Sequence, residues 1–265
     1  MSLSAYISGL GVLGPGLTNW PQAAAVLSGT ETYRAAASVL PTPTILPSAE
    51  RRRVGRTVKL ALAVALEASS QSGEDPAALA SVFTSSGADG HNCHELCQAL
   101  SLAGREISPT RFANSVHNAA AGYWSIGTGA MAPSNVLCAF DASFAAGLLE
   151  AMTQVAVDQV PVLLVAYDSE YPEPLHAKRP IPDAFGAALL LTPLRHHSSV
   201  AKLEAALSDL KFERLTDPAL EGLRSAFPAA RALPLLRSLA MRTQGTVILE
   251  YLDVSRVQVR VDPCV

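Results

Sequence analysis

The amino-acid sequence predicts an α/β fold in which strands and helices alternate in layers. Up to about residue 209, short apolar segments alternate with segments whose apolar residues recur at helical spacing. One short segment, Val160–Ala166, is apolar throughout, which is typical of a strand covered on both faces. The chain has 265 residues, 49% of them apolar and 16% charged, so it is long enough to bury a large core.

The first part of the chain contains one predicted strand and two predicted helices. Tyr6–Val12 is predicted as a buried strand that ends in a glycine-rich turn. Asn19 can cap a short helix that ends at Leu27, and prolines make Pro41–Pro47 a loop. From Val54 to Ser70, apolar residues recur every three or four positions, which predicts an amphipathic helix.

The middle of the chain supplies two further strand and helix pairs. Ala78–Thr84 is predicted as a strand and Asp89–Ala103 as a helix. A polar loop, Ser108–Asn114, leads into a helix predicted over Ser115–Ile126. Asn135–Phe140 is then predicted as a short strand that runs directly into the next helix.

A sharp turn joins this strand to a helix predicted over Ser143–Val157. Because the helix is apolar almost all round, we expect it in the interior. Asp141 in the turn faces the N-terminus of this helix, where unpaired N–H groups and the helix dipole favour a negative charge. Enzymes use such a turn to hold a nucleophile, so this junction is the candidate functional site.

The composition of the chain changes after residue 209. Leu210–Arg242 is rich in leucine, alanine and arginine and is predicted to be helical, with breaks at its prolines. We expect residues 1–209 to form the main domain and residues 210–265 to pack on it as a helical segment and a closing hairpin. The prolines are Pro218, Pro228 and Pro234. The remaining predicted strands are Ala187–Leu191, Val200–Leu207, Thr246–Leu252 and Arg256–Val261.

Charge and hydropathy argue against several classes of partner. The net charge is −3 and the one basic cluster is Arg51–Arg53, so we expect no nucleic-acid binding. This cluster is interpreted either as a solvated helix start or as a docking point for an acidic carrier protein. No apolar run reaches the roughly 20 residues that span a bilayer, and Met1–Gly11 lacks the pattern of an export signal. We therefore expect a cytoplasmic protein that does not bind membranes.

The spacing of the cysteines and histidines does not predict a metal site. Thiolate and imidazole are zinc ligands, but four such residues on one short helical segment cannot surround an ion tetrahedrally. We therefore expect neither a metal nor a cofactor. The four residues are His91, Cys93, His94 and Cys97.

Residues 108–149 contain short motifs in a fixed order. A helix of small residues follows an asparagine-containing loop, and a Ser-Ile pair, a glycine and a proline precede the strand and its sharp turn. The motif residues are Asn118, Ala121, Gly122, Ser125, Ile126, Gly129 and Pro133. In this order the segment resembles the β-ketoacyl synthase branch of the thiolase-like family. The resemblance extends from about Ala5 to Leu207 and implies a thiolase-like layered α/β/α fold, truncated to about one half, with a short helical and hairpin tail.

The sequence departs from the family at the nucleophile. Counted without a gap, the family's nucleophilic cysteine falls on Asp141, and a carboxylate cannot form the thioester that carries the acyl chain. The later histidines, His176, His196 and His197, match none of the family's histidine motifs. The resemblance therefore implies a non-catalytic chain-length factor, similar to those of aryl polyene clusters.

A chain-length factor implies a heterodimer with an active β-ketoacyl synthase, whose acyl tunnel it shapes, and an acyl carrier protein that serves the complex. In the family, the strand before the nucleophile pairs across a pseudo-two-fold axis. The residues that the resemblance places at this interface are Asn114, His117, Asn118, Asn135, Val136, Leu137, Cys138, Ala139 and Phe140. The tunnel-lining candidates, which are otherwise core aromatics, are Tyr123, Trp124 and Phe144.

Alternatives stay open at the level of the sequence. Asp141 is interpreted either as a structural N-cap or as a catalytic group, for instance in malonyl decarboxylation. Cys138 is interpreted either as a small buried hydrophobe or as the displaced nucleophile of an acyltransferase. A homodimeric scaffold that binds carrier proteins without shaping a tunnel is a further alternative.

Overall fold

A mixed eight-stranded sheet forms the centre of the fold. The computed structural model describes residues 2–212 and 214–264. The strands are β1 (Leu3–Leu13), β2 (Ala80–Thr84), β3 (Ser134–Leu137), β4 (Val162–Asp168), β5 (Phe185–Thr192), β6 (Ala201–Ser208), β7 (Gly245–Glu250) and β8 (Arg256–Pro263). They lie in the order β3-β2-β4-β5-β1-β6-β8-β7. β2 is parallel to both of its neighbours, β3 and β4, and the remaining neighbours are antiparallel.

Helices cover both faces of the sheet. The α-helices are α1 (Trp20–Leu27), α2 (Ser48–Arg51), α3 (Arg56–Ser70), α4 (Gly90–Ser101), α5 (Pro109–Ala113), α6 (Ala119–Thr128), α7 (Ser143–Asp158), α8 (Pro218–Ala226) and α9 (Leu233–Met241). Alternate residues of β4 belong to two separate cores: Leu164 packs in the core that contains α7, and Leu163 in the core that contains α3 and α6. The predicted layered α/β/α fold is confirmed. Among the described helices, none has the length and apolar character needed to cross a membrane.

Several predicted elements are confirmed in detail. The Asn19 side chain accepts a hydrogen bond from the backbone N–H of Gln22 at 2.9 Å and so caps α1. Every residue of β4 is buried, as expected of a strand covered on both faces, although β4 begins and ends two residues later than predicted and Val160 is exposed. The predicted closing hairpin is formed by β7 and β8.

Other predicted elements are wrong in their extent. The polar loop before α6 contains the short helix α5, which starts at Pro109 and is capped by Ser108. The strand predicted over Asn135–Phe140 ends at Leu137, because the chain leaves the sheet to begin its turn. Pro218 and Pro234 occupy the first turns of α8 and α9, where a missing N–H costs nothing, so they begin helices and do not break them.

The residues after 209 extend the same sheet. β8 pairs with β6 along its whole length, and β7 forms the far edge. Leu233, Leu235 and Leu236 are fully buried in the core that contains α7. A 3₁₀ helix, Ala229–Ala232, brings the tail close to the carboxyl ends of the parallel strands.

Candidate functional site

The candidate site, here called the elbow, is the turn Cys138–Asp141 between β3 and α7. Phe140 has a φ of 52°, in the left-handed region that a bulky residue rarely adopts. The Ser143 hydroxyl fastens the turn, because it accepts a hydrogen bond from the Ala139 N–H at 3.0 Å and donates to the Phe140 carbonyl at 2.7 Å. The elbow is therefore a turn fixed by side-chain hydrogen bonds, with one strained residue.

Asp141 binds two arginines and does not cap the helix. Its Oδ1 accepts a hydrogen bond from Arg179 Nη2 at 2.7 Å, and its Oδ2 accepts one from Arg231 Nη2 at 3.3 Å. No side chain caps the first turn of α7 in the described structure, so the interpretation of Asp141 as an N-cap is wrong. The Arg179 guanidinium also stacks on Phe140, with its central carbon 3.6 Å from the ring centre.

One of the two arginines, Arg231, belongs to a chain of ion pairs that extends to the C-terminal elements. Arg231 Nη1 lies 2.6 Å from a carboxylate oxygen of Glu250 on β7. Glu250 also pairs with Arg224, whose nearly buried guanidinium lies 2.7 Å from Glu221. Hydrogen bonding from Arg224 lowers the pKa of Glu221 to about 2. Alternating charges thus connect the elbow to α8 and β7.

A buried carboxylate, Asp168 at the end of β4, joins the neighbouring strand ends. Its Oδ1 accepts hydrogen bonds from the Ser86 N–H at 2.8 Å and the Ser86 hydroxyl at 2.6 Å. Its Oδ2 accepts one from the Ala229 N–H at 2.9 Å. Burial raises the pKa of Asp168 to about 6, although these hydrogen bonds act in the opposite direction. One side chain therefore links the ends of β2 and β4 to the tail.

Cys138 lies at the elbow but has no activating partner. It is exposed, so its interpretation as a buried hydrophobe is wrong. Its thiol donates a hydrogen bond to the Ser86 carbonyl at 3.3 Å, and no base is hydrogen-bonded to it within the described residues. A nucleophilic thiol is activated by an adjacent base, so the described contacts of Cys138 do not support that role.

The residues expected at the interface follow β3 and the segment before α6. Within the described chain, β3 pairs with β2 alone, which leaves its outer edge free. Asn135 is exposed and donates a hydrogen bond to Glu150 at 2.8 Å. Val136, Leu137 and Ala139 are half-buried.

The segment before α6 is partly anchored and partly open. Asn114 donates a hydrogen bond to the Arg53 carbonyl at 2.9 Å, and Asn118 is exposed at the start of α6. His117 is half-buried, and its Nε2 is buried without a hydrogen-bond partner among the described residues. Large apolar side chains are exposed around this segment and β3. They are Phe112, Val116, Ile126, Met131 and Phe140.

An apolar groove of about 500 Å³ lies between α5 and α6. Tyr123, Val116 and Ile126 contribute to its wall. Of the other tunnel candidates, Trp124 is buried in the core with α3, and Phe144 is buried in the core on the opposite face of the sheet. The structure therefore places only Tyr123 at an open cavity and does not bring the three aromatics together.

The basic cluster borders a second, polar groove. Arg52 and Arg53 are exposed, and together with Arg56 and Arg111 they line a cavity of about 320 Å³. His91 also lines this groove, whereas Cys93 and Cys97 are exposed on α4. Across the described residues, no three side chains of the ligating types converge as a metal site would require.

The sequence analysis missed the charged partners of the elbow. Arg179 lies in the long loop between β4 and β5, and Arg231 lies in the tail, 38 and 90 residues from Asp141. Asp168 was not singled out, because the apolar strand was predicted to end at Ala166. Its position after an apolar strand was the one local signal, because a carboxylate there faces the site edge of the sheet.

Comparisons with known proteins identify the family and the fold of the chain. Residues 19–244 match the family described as "Beta-ketoacyl synthase, N-terminal domain". A chain of the complex between a ketosynthase (ApeO) and its chain length factor (ApeC) from Xenorhabdus doucetiae is 25% identical, with a TM-score of 0.74. The match covers 97% of this chain and 99% of that one. No relative was found among curated proteins.

Two further solved structures share the fold at lower identity. A chain of the ishigamide ketosynthase/chain length factor has a TM-score of 0.74 at 12% identity and covers 99% of this chain and 100% of its own. A chain of the AntDE:AntF complex, a type II PKS acyl-carrier protein with its ketosynthase bound to the hexaketide, has a TM-score of 0.74 at 11% identity over 100% of both chains. These likenesses establish the architecture of the sheet and its helices.

Proposed function

Because the chain belongs to the β-ketoacyl synthase family, we propose that it is a non-catalytic chain-length factor. It pairs with an active β-ketoacyl synthase in the cytoplasm and shapes that enzyme's acyl tunnel in fatty-acid- or polyene-type biosynthesis on an acyl carrier protein. One observation carries the proposal: Arg179 and Arg231 hold Asp141, the residue that the order of the motifs assigns to the nucleophile position. A carboxylate in this state cannot take up an acyl chain as a thioester.

The free edge of β3 supports pairing with a subunit of similar fold. An unpaired strand edge is a template for another strand, and a pseudo-symmetric dimer continues the sheet across its axis. Exposed apolar side chains before and on α6, such as Val116 and Ile126, favour burial against a protein. We therefore assign this face to the ketosynthase.

The groove beside Tyr123 supports a steric mechanism of length control. It is apolar and lies next to the proposed interface. Each buried methylene of a growing chain contributes about 0.8 kcal/mol until the space is full, after which overpacking opposes a further unit. Elongation then stops at the length that fills the space between the subunits. Arg52 and Arg53 are the proposed contact for the carrier protein, through charge attraction.

Copurification from the native cell tests this function. A tagged chain should recover a β-ketoacyl synthase with a cysteine nucleophile at a one-to-one ratio, and its own intact mass should show no acyl adduct. Val116→Glu places a charge at the groove and should abolish the recovery. Val254→Glu, which changes an exposed valine in the turn of the hairpin, is the matched control and should not.

Two outcomes contradict the proposal. A stable self-dimer that recovers no ketosynthase supports the scaffold alternative. An acyl adduct on Cys138, with condensing or acyltransfer activity of the isolated chain, supports the enzyme alternative.

A further inference from the structure

Phe140 combines two unfavourable features at one residue. It is 60% exposed, although its side chain is a large apolar ring. Its backbone has a φ of 52°, which a bulky side chain disfavours. A strained and exposed aromatic residue persists only where the surroundings hold it, and such outliers concentrate at functional positions.

The surroundings that hold Phe140 are the charged groups of the elbow. The Arg179 guanidinium covers one face of the ring at 3.6 Å from its centre. The same guanidinium donates a hydrogen bond to Asp141 at 2.7 Å. Arg231 binds the other oxygen of this carboxylate and is itself paired with Glu250 at 2.6 Å. The ring is therefore oriented by a charge network that reaches across the fold.

We propose that Phe140 is the specificity-determining anchor that this subunit inserts into an apolar pocket of its ketosynthase partner. Asp141 is then a positioning residue, which acts on the ring through Arg179. The inference rests on the proposed function, because Phe140 continues directly from the strand edge assigned to the partner. An aromatic side chain that is ordered before binding loses little entropy on association, and such residues dominate binding energies at interfaces.

The test is a thermodynamic cycle on the affinity for the ketosynthase that copurifies with the chain. Phe140→Gly removes the ring and suits the left-handed backbone, so this variant should fold with little change in unfolding temperature. Its affinity should fall by at least about 30-fold, the loss typical of an anchor residue. Asp141→Asn should weaken binding in the unsubstituted chain and should have no further effect in the Phe140→Gly background.

Leu194→Ala is the control. Leu194 is exposed and follows the C-terminal end of β5, whereas the N-terminal end of β5 pairs with Asp168 near the elbow. Its substitution should change the affinity less than twofold. If the unsubstituted chain binds no ketosynthase, the proposed function and the anchor both fail. If it binds, and Phe140→Gly binds within twofold of it, the anchor alone is refuted. Equal weakening by Asp141→Asn in both backgrounds refutes the positioning role, because that effect does not pass through Phe140.

Discussion

Replacing the buried Asp168 with asparagine should change how the stability of the protein depends on pH. Burial raises the pKa of Asp168 to about 6 in the folded chain, against an ordinary value of 3.8. Between these values the folded chain binds a proton that the unfolded chain has lost, so the free energy of unfolding falls as pH rises. A difference of about two pKa units corresponds to about 3 kcal/mol, which is present below pH 4 and lost above pH 6.

Urea unfolding at matched pH values from 4 to 8 measures this effect. Asparagine offers no second acceptor for the Ala229 N–H, but this loss is the same at every pH and so does not alter the shape of the curve. Relative to Asp168→Asn, the unsubstituted chain should lose about 3 kcal/mol between pH 4 and 7. Asp158→Asn, at the exposed end of α7, is the control and should run parallel to the unsubstituted chain. Parallel curves for Asp168→Asn would refute the reasoning.

Three further substitutions test the packing and the ion pairs by chemical denaturation. Gly11→Ala would place a Cβ 2.1 Å from the Val64 carbonyl oxygen on α3 and should cost about 3 kcal/mol, whereas Gly222→Ala in α8 meets no atom within 4 Å and should stabilise by about 1 kcal/mol. Arg224→Met should destabilise by about 2–3 kcal/mol at neutral pH because it removes the close ion pair of the largely buried Glu221 and leaves Glu250 with Arg231 as its remaining arginine. It should also remove the stability that the unsubstituted chain loses as pH falls from about 4.5 toward 2, the range set by the lowered pKa of Glu221. Unchanged acid sensitivity would contradict the ion-pair reasoning.

Elements whose structure is fixed locally could be predicted from the sequence. The uniform apolar character of Val160–Ala166 predicts a doubly covered strand, and every residue of β4 is indeed buried. Asn19 precedes a helix and caps it as expected. The helix predicted over Ser143–Val157 was expected in the interior because its polar residues are few, and α7 begins at Ser143 and is largely buried. In each case the signal lies within a short stretch of the sequence.

The elbow could be located from the sequence but not explained by it. The motif order predicts that Asp141 occupies the turn before the buried helix, and the structure puts it there. Its role as a cap was the local inference, because an aspartate at a helix start usually accepts backbone hydrogen bonds. Two guanidinium groups bind the carboxylate instead, because each carries a full positive charge, whereas a backbone N–H carries only a partial one. These partners come from a loop and a tail that no local pattern connects to the turn.

Long-range contacts also explain why the strand predicted through Phe140 ends earlier in the structure. Asn135–Phe140 contains apolar residues suited to a strand, and the local sequence gives no indication of a left-handed conformation at Phe140. The Ser143 hydroxyl holds the backbone of this turn, and Arg179, which Asp141 binds, stacks on the ring. Arg179 therefore contacts both residues for which the sequence prediction was wrong: Phe140, predicted in a strand, and Asp141, predicted as a helix cap. If Phe140→Gly leaves the affinity for a ketosynthase unchanged, the exposure of the ring has no counterpart in the partner, and the carboxylate serves the fold alone.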